Sequence, residues 1–325
     1  MENKIEFDII NFLIPSHIES IRLVINQYNL IFKKHTNYAD ALKKLKKYRN
    51  YETTALLEIN IPVSVEESLN FTSKVNHLLT ICRSTIINYT GYRILDENYN
   101  VVSEKSQDPI ASKYSIHELI PNECIEETRN FVINGIRKFD DLDKILLIRK
   151  VAREYAFVRN EAAFVNTRGL SICVLIEYII NSYINHKNKS YLINEELFNS
   201  KLDELKLETE KILSNIFGTL IKPPIAKAMI SKLKDFNRRP FKWKMQKFKK
   251  AYKLNLEEGD INNFIFIRDT LAHSGSYPKE KRPFEYWIFL LFLLDKIIVG
   301  LFQYNDYYAD LSKEEFYLTQ RRIDS

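Results

Sequence analysis

FDDLDKILLIRKVAREYAFVRNEAAF, residues 139–164, is where the hydrophobic period of this chain changes. Up to it, runs in which apolar residues alternate are mixed with helical ones. From Lys144 onward apolar residues recur at three- and four-residue intervals, as on one face of a helix. LLIRKVAREYAFVRNEAAF therefore reads as one amphipathic helix. The change predicts an α+β fold with two parts: a mixed, β-rich N-terminal domain over residues 1–140, followed by an all-α helical bundle over 141–325. A chain of 325 residues is long enough for both.

Toward the N-terminus, IEFDIINFLIP and ETTALLEINIPV read as strands. In the second, Leu57, Ile59 and Ile61 alternate with polar neighbours. ADALKKLKKYR between them is a short basic helix. VEESLNFTSKVNHLLTICRS is a longer one, with Leu69, Val75, Leu78, Leu79 and Cys82 at helical spacing. TIINYTGYRILDENYNVVSE gives two strands around an Asp-Glu-Asn turn.

Toward the C-terminus almost everything has helical period. GLSICVLIEYIINSYIN is apolar on nearly all sides and is expected to be buried. NEELFNSKLDELKLETEKILSNIF is long, charged and amphipathic. KPPIAKAMISKLKDF opens on prolines suited to a first helical turn, and PFKWKMQKFKKAY follows. GDINNFIFIRDTLAH has Asp260 as its expected N-cap. EYWIFLLFLLDKIIVGLF falls short of the roughly 20 apolar residues of a membrane span. With Asp295 and Lys296 at its middle, it reads as a core or dimer-interface helix. No membrane partner is expected.

Cys82, Cys124 and Cys173 lie far apart with no CxxC pair, which argues against zinc or a disulfide framework and fits a reducing cytoplasm. MENKIEFDII lacks the pattern of a secretory leader. No metal or cofactor is expected. His17, His35, His77, His117 and His186 show no ligand spacing and read as surface residues.

The net charge of +6 is mild, with 32 lysines and 16 arginines. The richest basic run is SKLKDFNRRPFKWKMQKFKKAYK, residues 231–253. Arg238, Arg239, Lys242, Lys244 and Lys247, interleaved with Phe241, Trp243, Phe248 and Tyr252, are candidates for holding phosphates and stacking bases. The competing reading is an amphipathic helix with solvated lysines and inward aromatics.

IFIRDTLAHSGSYP, residues 265–278, places Arg268 five residues before His273, with Gly275 and Pro278 as helix stops. On a continuous helix such residues lie about 140° apart. With 16 arginines and 6 histidines in the chain, chance alone yields roughly 0.3 such pairs, so the spacing by itself specifies little. Its context says more: the pair ends the penultimate helix between two strongly apolar stretches.

Residues 144–305 resemble a HEPN domain, an all-α module marked by an Arg–polar–…–His segment between its last two principal helices. Here that segment is Arg268-Asp269-Thr270-Leu271-Ala272-His273. The flanking Phe264, Ile265, Ile267 and Leu271 and the trailing Gly275 fit as well. The family's second position is most often Asn, and this chain has Asp269. A β-rich region ahead of the helices further resembles the Apea-type HEPN proteins of anti-phage defence. The resemblance implies a metal-independent endoribonuclease, acting in defence or as a toxin, whose composite site forms between two copies of the chain. It implies that His273 transfers protons and that Arg268 stabilises charge on the phosphate. RNA, a second copy, and a phage-derived trigger or other regulatory partner are the implied partners.

Glu177 and Asp269 are candidate supporting groups. Glu177 is the sole acid in an apolar helix and needs a partner; Arg268 is one choice, another basic residue or a wet stripe the alternative. Tyr277 could stack on a base, though packing is the commoner role beside a turn. Asp295, alone in the last helix, is expected to pair with neighbours of Lys296 or to sit at an interface, without a catalytic role. A non-catalytic RNA- or nucleotide-binding module, and a dimerising sensor, are the alternative functions.

Overall fold

The computed structural model describes residues 4–48, 50–60, 64–112, 114–115, 117–160, 165–218, 222–304, 308–309 and 318–319. The fold is α+β. The chain divides into two compact units, Met1–Ile176 with Asn263–Ser325, and Glu177–Asn262. The sequence boundary near residue 140 falls inside the first unit. What a period change marks is a switch of local structure; what defines a unit is who packs on whom.

In the first unit, β1 (Lys4–Ile10), β2 (Ser20–Ile25), β3 (Tyr28–Lys34), β4 (Thr53–Asn60), β5 (Asn88–Leu95) and β6 (Val101–Ser106) form one antiparallel sheet in the order β2-β3-β4-β1-β5-β6. Its inner face carries alternate residues: Ile5, Phe7 and Ile9 of β1, Ile21, Leu23 and Ile25 of β2, Leu57 and Ile59 of β4. A register shift at Ile9/Ile10 in the β1–β4 pairing accompanies burial of both isoleucines. Edge strand β6, VVSEKS, is exposed throughout, and its Glu104, Lys105 and flanking serines suit an unpaired edge. Ile61 of the expected strand lies outside the described residues.

The β2–β3 hairpin has no counterpart in the sequence reading. Its signal was present, because SIRLVI alternates cleanly, but its turn is Asn26-Gln27 rather than a glycine pair. Asn26 supplies the left-handed conformation there, with φ 54°.

α1 (Tyr38–Tyr48) packs on β4 through Ala41 and Leu45. α2 (Val65–Arg83) starts in a capping box between Ser64 and Glu67 and lays Phe71, Val75, Leu78, Leu79 and Cys82 into the core. Tyr28 stacks on Phe71 at 3.9 Å between ring centres. α3 (Ile125–Leu146) packs on α2 and β2, so helix begins well before Lys144. A side chain at Gly135 would meet Leu78 of α2 at 2.6 Å, which is why a glycine stands mid-helix there. α3 ends at Leu147 in the left-handed region, and α4 (Ile148–Asn160) starts anew. The run LLIRKVAREYAFVRN is thus two helices meeting at its second leucine. Glu161–Phe164, its expected end, lie outside the described residues.

α5 (Val165–His186) is buried along Ile172, Cys173, Ile176, Ile179, Ile180 and Ile184. It is not covered all round: Val174 is 60% and Leu170 39% exposed. α9 (Glu258–Ser274) begins two residues before Asp260, whose carboxylate accepts from Glu257 N–H at 2.9 Å. α10 (Pro283–Leu301) is largely buried, and among the described residues no helix is long and apolar enough to cross a membrane. Asp295 lies inside the unit rather than at a surface. It accepts from Arg159 of α4 at 2.5 Å and from the Tyr155 hydroxyl at 2.6 Å. The tiny strands β7 (Tyr308–Ala309) and β8 (Leu318–Thr319) pair near the end of the chain.

The second unit holds α6 (Glu195–Phe217), α7 (Pro223–Ser231), a 3-10 helix (Lys232–Asn237) and α8 (Phe241–Ala251), with the adjoining ends of α5 and α9. KPPIAKAMISKLKDF is therefore a short α-helix that tightens into a 3-10 helix. The core here is small: Ile179, Ile180, Ile184, Leu233, Met245, Phe248, Leu254, Leu256 and Ile261. Asn237 is buried and clamps the 192–193 segment, accepting from Ile193 N–H at 2.7 Å and donating to its carbonyl at 3.0 Å. α6 has no buried residue, and its ion pairs are local, Lys201–Glu204, Asp203–Lys206 and Glu208–Lys211.

Candidate active site and basic surface

α9 is one continuous helix through both Arg268 and His273. Its buried side is Ile261, Phe264, Ile267 and Leu271, a repeat of three and four residues. His273 is exposed in the last turn. Gly275, with φ +66°, ends the helix by donating its N–H to Leu271 O at 3.0 Å. Phe266, two turns before His273 and so on the same helical face, is 49% exposed.

Arg268 is half-buried and projects about 140° away from His273 by helix geometry. Its Nε donates to Asp269 at 2.9 Å, so the next residue along carries the carboxylate that holds the guanidinium. Within one chain the pair is not convergent.

The loop behind His273 is anchored. Tyr277 is buried, donates to Val165 O at 3.2 Å, and stacks on Tyr286 at 5.7 Å. Asn166 donates to Gly275 O at 3.2 Å. A Cβ at Gly169 would stand 2.0 Å from the Tyr277 hydroxyl, so only glycine lets the ring in. Tyr277 is thus a packing residue, and Gly169 and Asn166 went unnoticed in the sequence because their role is defined by a contact over a hundred residues away.

Glu177 is half-buried on α5 and belongs to the other compact unit from Arg268. Burial pulls the Lys244 ammonium below its ordinary range and Arg238 adds to the fall, while the Glu177 carboxylate opposes it. Lys244 donates to Asn181 at 3.0 Å and Lys242 pairs with Glu258 at 2.7 Å. Arg238 is exposed, 3.6 Å from Asp235. Arg239 donates to Tyr191 O at 3.1 Å and lies 4.2 Å from the Trp243 ring centre, with the Lys247 ammonium 5.5 Å from the same ring. The aromatics are not a common stacking row. Phe248 is buried against Tyr183 and Tyr252, and Trp243 is occupied by its two cations.

Of the remaining histidines, His77 is half-buried, not a surface residue. Burial lowers its pKa against the opposing bond to Ser73 O, with Arg149 and Arg153 adding to the fall. His35 is also half-buried, while His17, His117 and His186 are exposed. No disulfide joins Cys82, Cys124 or Cys173, and burial raises Cys82 to about 12, beyond ready ionisation. Among the described residues no group of three His, Cys, Asp or Glu side chains could hold a metal ion. Comparison with family models, curated proteins and solved structures finds no match to this chain.

Proposed function

We propose that the chain is a metal-independent endoribonuclease of HEPN type, working in the cytoplasm as a homodimer in anti-phage defence or as a toxin. One observation carries the reading: a single helix presents an open histidine in its last turn and, one and a half turns earlier, an arginine braced by a neighbouring carboxylate. The divergence of the two side chains supports a dimeric site, because a second copy supplies the group that one chain turns away. Exposed Phe266 on the His273 face gives such a copy apolar surface to cover.

The chemistry uses the substrate's own nucleophile. The 2′-hydroxyl attacks the adjacent phosphorus and loses its proton; the bond to the 5′-oxygen breaks, and that oxygen gains a proton. Imidazole of His273 moves protons in these steps. The planar fork of Arg268 meets charge building on the non-bridging oxygens, which a lysine's point charge does less well. The N-terminal sheet is the part available to sense a phage-derived trigger.

Incubation with RNA in EDTA, beside His273→Ala, tests the reading. Cleavage by wild type alone is expected. Equal cleavage by both proteins sinks it. A non-catalytic RNA-binding module is the second reading, favoured by the clustering of basic residues in the second unit. Salt-sensitive RNA binding without cleavage, unaffected by Arg268→Ala, distinguishes it.

A further inference from the structure

The chain's excess charge sits in one place. Residues 177–262 contain 17 Lys or Arg against 11 Asp or Glu, a net +6 that equals the net charge of the whole chain. Within them, residues 222–253 hold 12 cations against one acid, Asp235. Some of these cations are engaged: Lys242 by Glu258, Lys244 by Asn181 and, across an exposed pair, Arg238 by Asp235. Two others are held over an aromatic ring. Trp243 fixes Arg239 and Lys247 over its ring, and the Tyr191 carbonyl fixes Arg239 a second time. Earlier in the same basic run Phe236 is 66% exposed on the 3-10 helix, between Lys234 and Arg238 in sequence. A ring left in water among cations is an aromatic platform of the kind on which unpaired bases stack.

We propose that the surface from Lys232 to Lys247 docks single-stranded RNA, with a base on Phe236 and phosphates on Arg238, Arg239 and Lys247. The choice of RNA over DNA rests on the ribonuclease reading; the charge and stacking argument does not. Cations pinned against a ring suit the fixed spacing of a phosphodiester chain. A fluid anionic bilayer instead favours mobile lysine stems, so it is the less fitting partner.

The test uses the full chain carrying His273→Ala, so that RNA is not consumed, and a fluorescein-labelled single-stranded RNA read by anisotropy against salt. Phe236→Ala is expected to weaken binding about 5-fold or more, the loss of one stacked base. Arg238→Ser with Lys247→Ser is expected to lower the slope of log K against log salt by about 1.4, roughly 0.7 per phosphate contact. Unchanged binding in both variants overturns the proposal. So does binding to phosphatidylglycerol vesicles with none to RNA. Cleavage by the wild-type protein is scored separately. Cleavage with variant-insensitive binding overturns the docking surface and leaves the ribonuclease standing; variant-sensitive binding without cleavage does the reverse.

Discussion

Replacing Asp295 by leucine isolates the strongest electrostatic commitment in the first unit. Arg159 and Asp295 side chains are each 2% exposed, and Tyr155 donates to the same carboxylate oxygen that Arg159 does. Removing the carboxylate leaves a guanidinium in the interior, with the Tyr155 hydroxyl at 2.7 Å and the His117 carbonyl at 3.2 Å as its remaining acceptors. Two charge-assisted hydrogen bonds are lost, at about 1.5–3 kcal/mol each. That agrees with the roughly 3–5 kcal/mol found when one partner of a buried pair is deleted. At about 2–4 °C per kcal/mol for a unit of this size, the melting point should fall by about 6–20 °C. The chain's two tryptophans lie one in each unit, so a Trp243→Phe background lets Trp287 fluorescence report the first unit alone. The triple change Asp295→Leu, Arg159→Met, Tyr155→Phe removes all three polar partners together and should return to within about 1–2 kcal/mol of that background. A single-variant loss below about 1 kcal/mol, or a triple variant as unstable as the single, would refute the reasoning.

Gly169→Ala forces the Tyr277 ring out of its seat and should cost about 1–3 kcal/mol by overpacking, measured by thermal melting; an unchanged melting point means the ring shifts freely and does not anchor the loop behind His273. Asp269→Asn should slow RNA cleavage by no more than about 5-fold, since a part-exposed pair is worth up to about 1 kcal/mol, whereas His273→Ala should cost about 100- to 10,000-fold. Equal losses would make Asp269 a catalytic residue and not a positioning one. His77 is held neutral in the fold by burial, so the unfolded chain takes up a proton near pH 6.5 that the folded chain does not. Stability should therefore fall as pH drops through that value and level off below the folded pKa. Urea midpoints at pH 7.5 and 5.5 should show a smaller drop for His77→Leu than for wild type, and equal drops would contradict the assignment.

The α+β class was legible because alternation and helical period are local properties. The limits of reading by period are equally specific. α3 is absorbed into the β-rich part because its segment lies before the change at Lys144, yet it is a helix that packs on α2 and β2. LLIRKVAREYAFVRN looked like one helix because Leu147 is apolar and in phase, and its left-handed turn leaves no compositional trace. The β2–β3 hairpin was lost to an Asn-Gln turn. Asp295 read as an anomaly of an apolar helix, because its partner Arg159 stands 136 residues earlier.

The candidate site divides in the same way. Sequence alone determined that Arg268 and His273 end a helix, that Gly275 stops it, and that the basic excess lies in one stretch, since caps, spacing and charge are written along the chain. Tertiary structure decided which side chains are open and which are engaged. It seated Tyr277 over Gly169, more than a hundred residues away in the chain. It also exposed Phe236, an aromatic the sequence did not single out, while Phe248 went inward. Each of those outcomes depends on what packs against a residue from elsewhere in the chain, and a linear pattern carries no record of that.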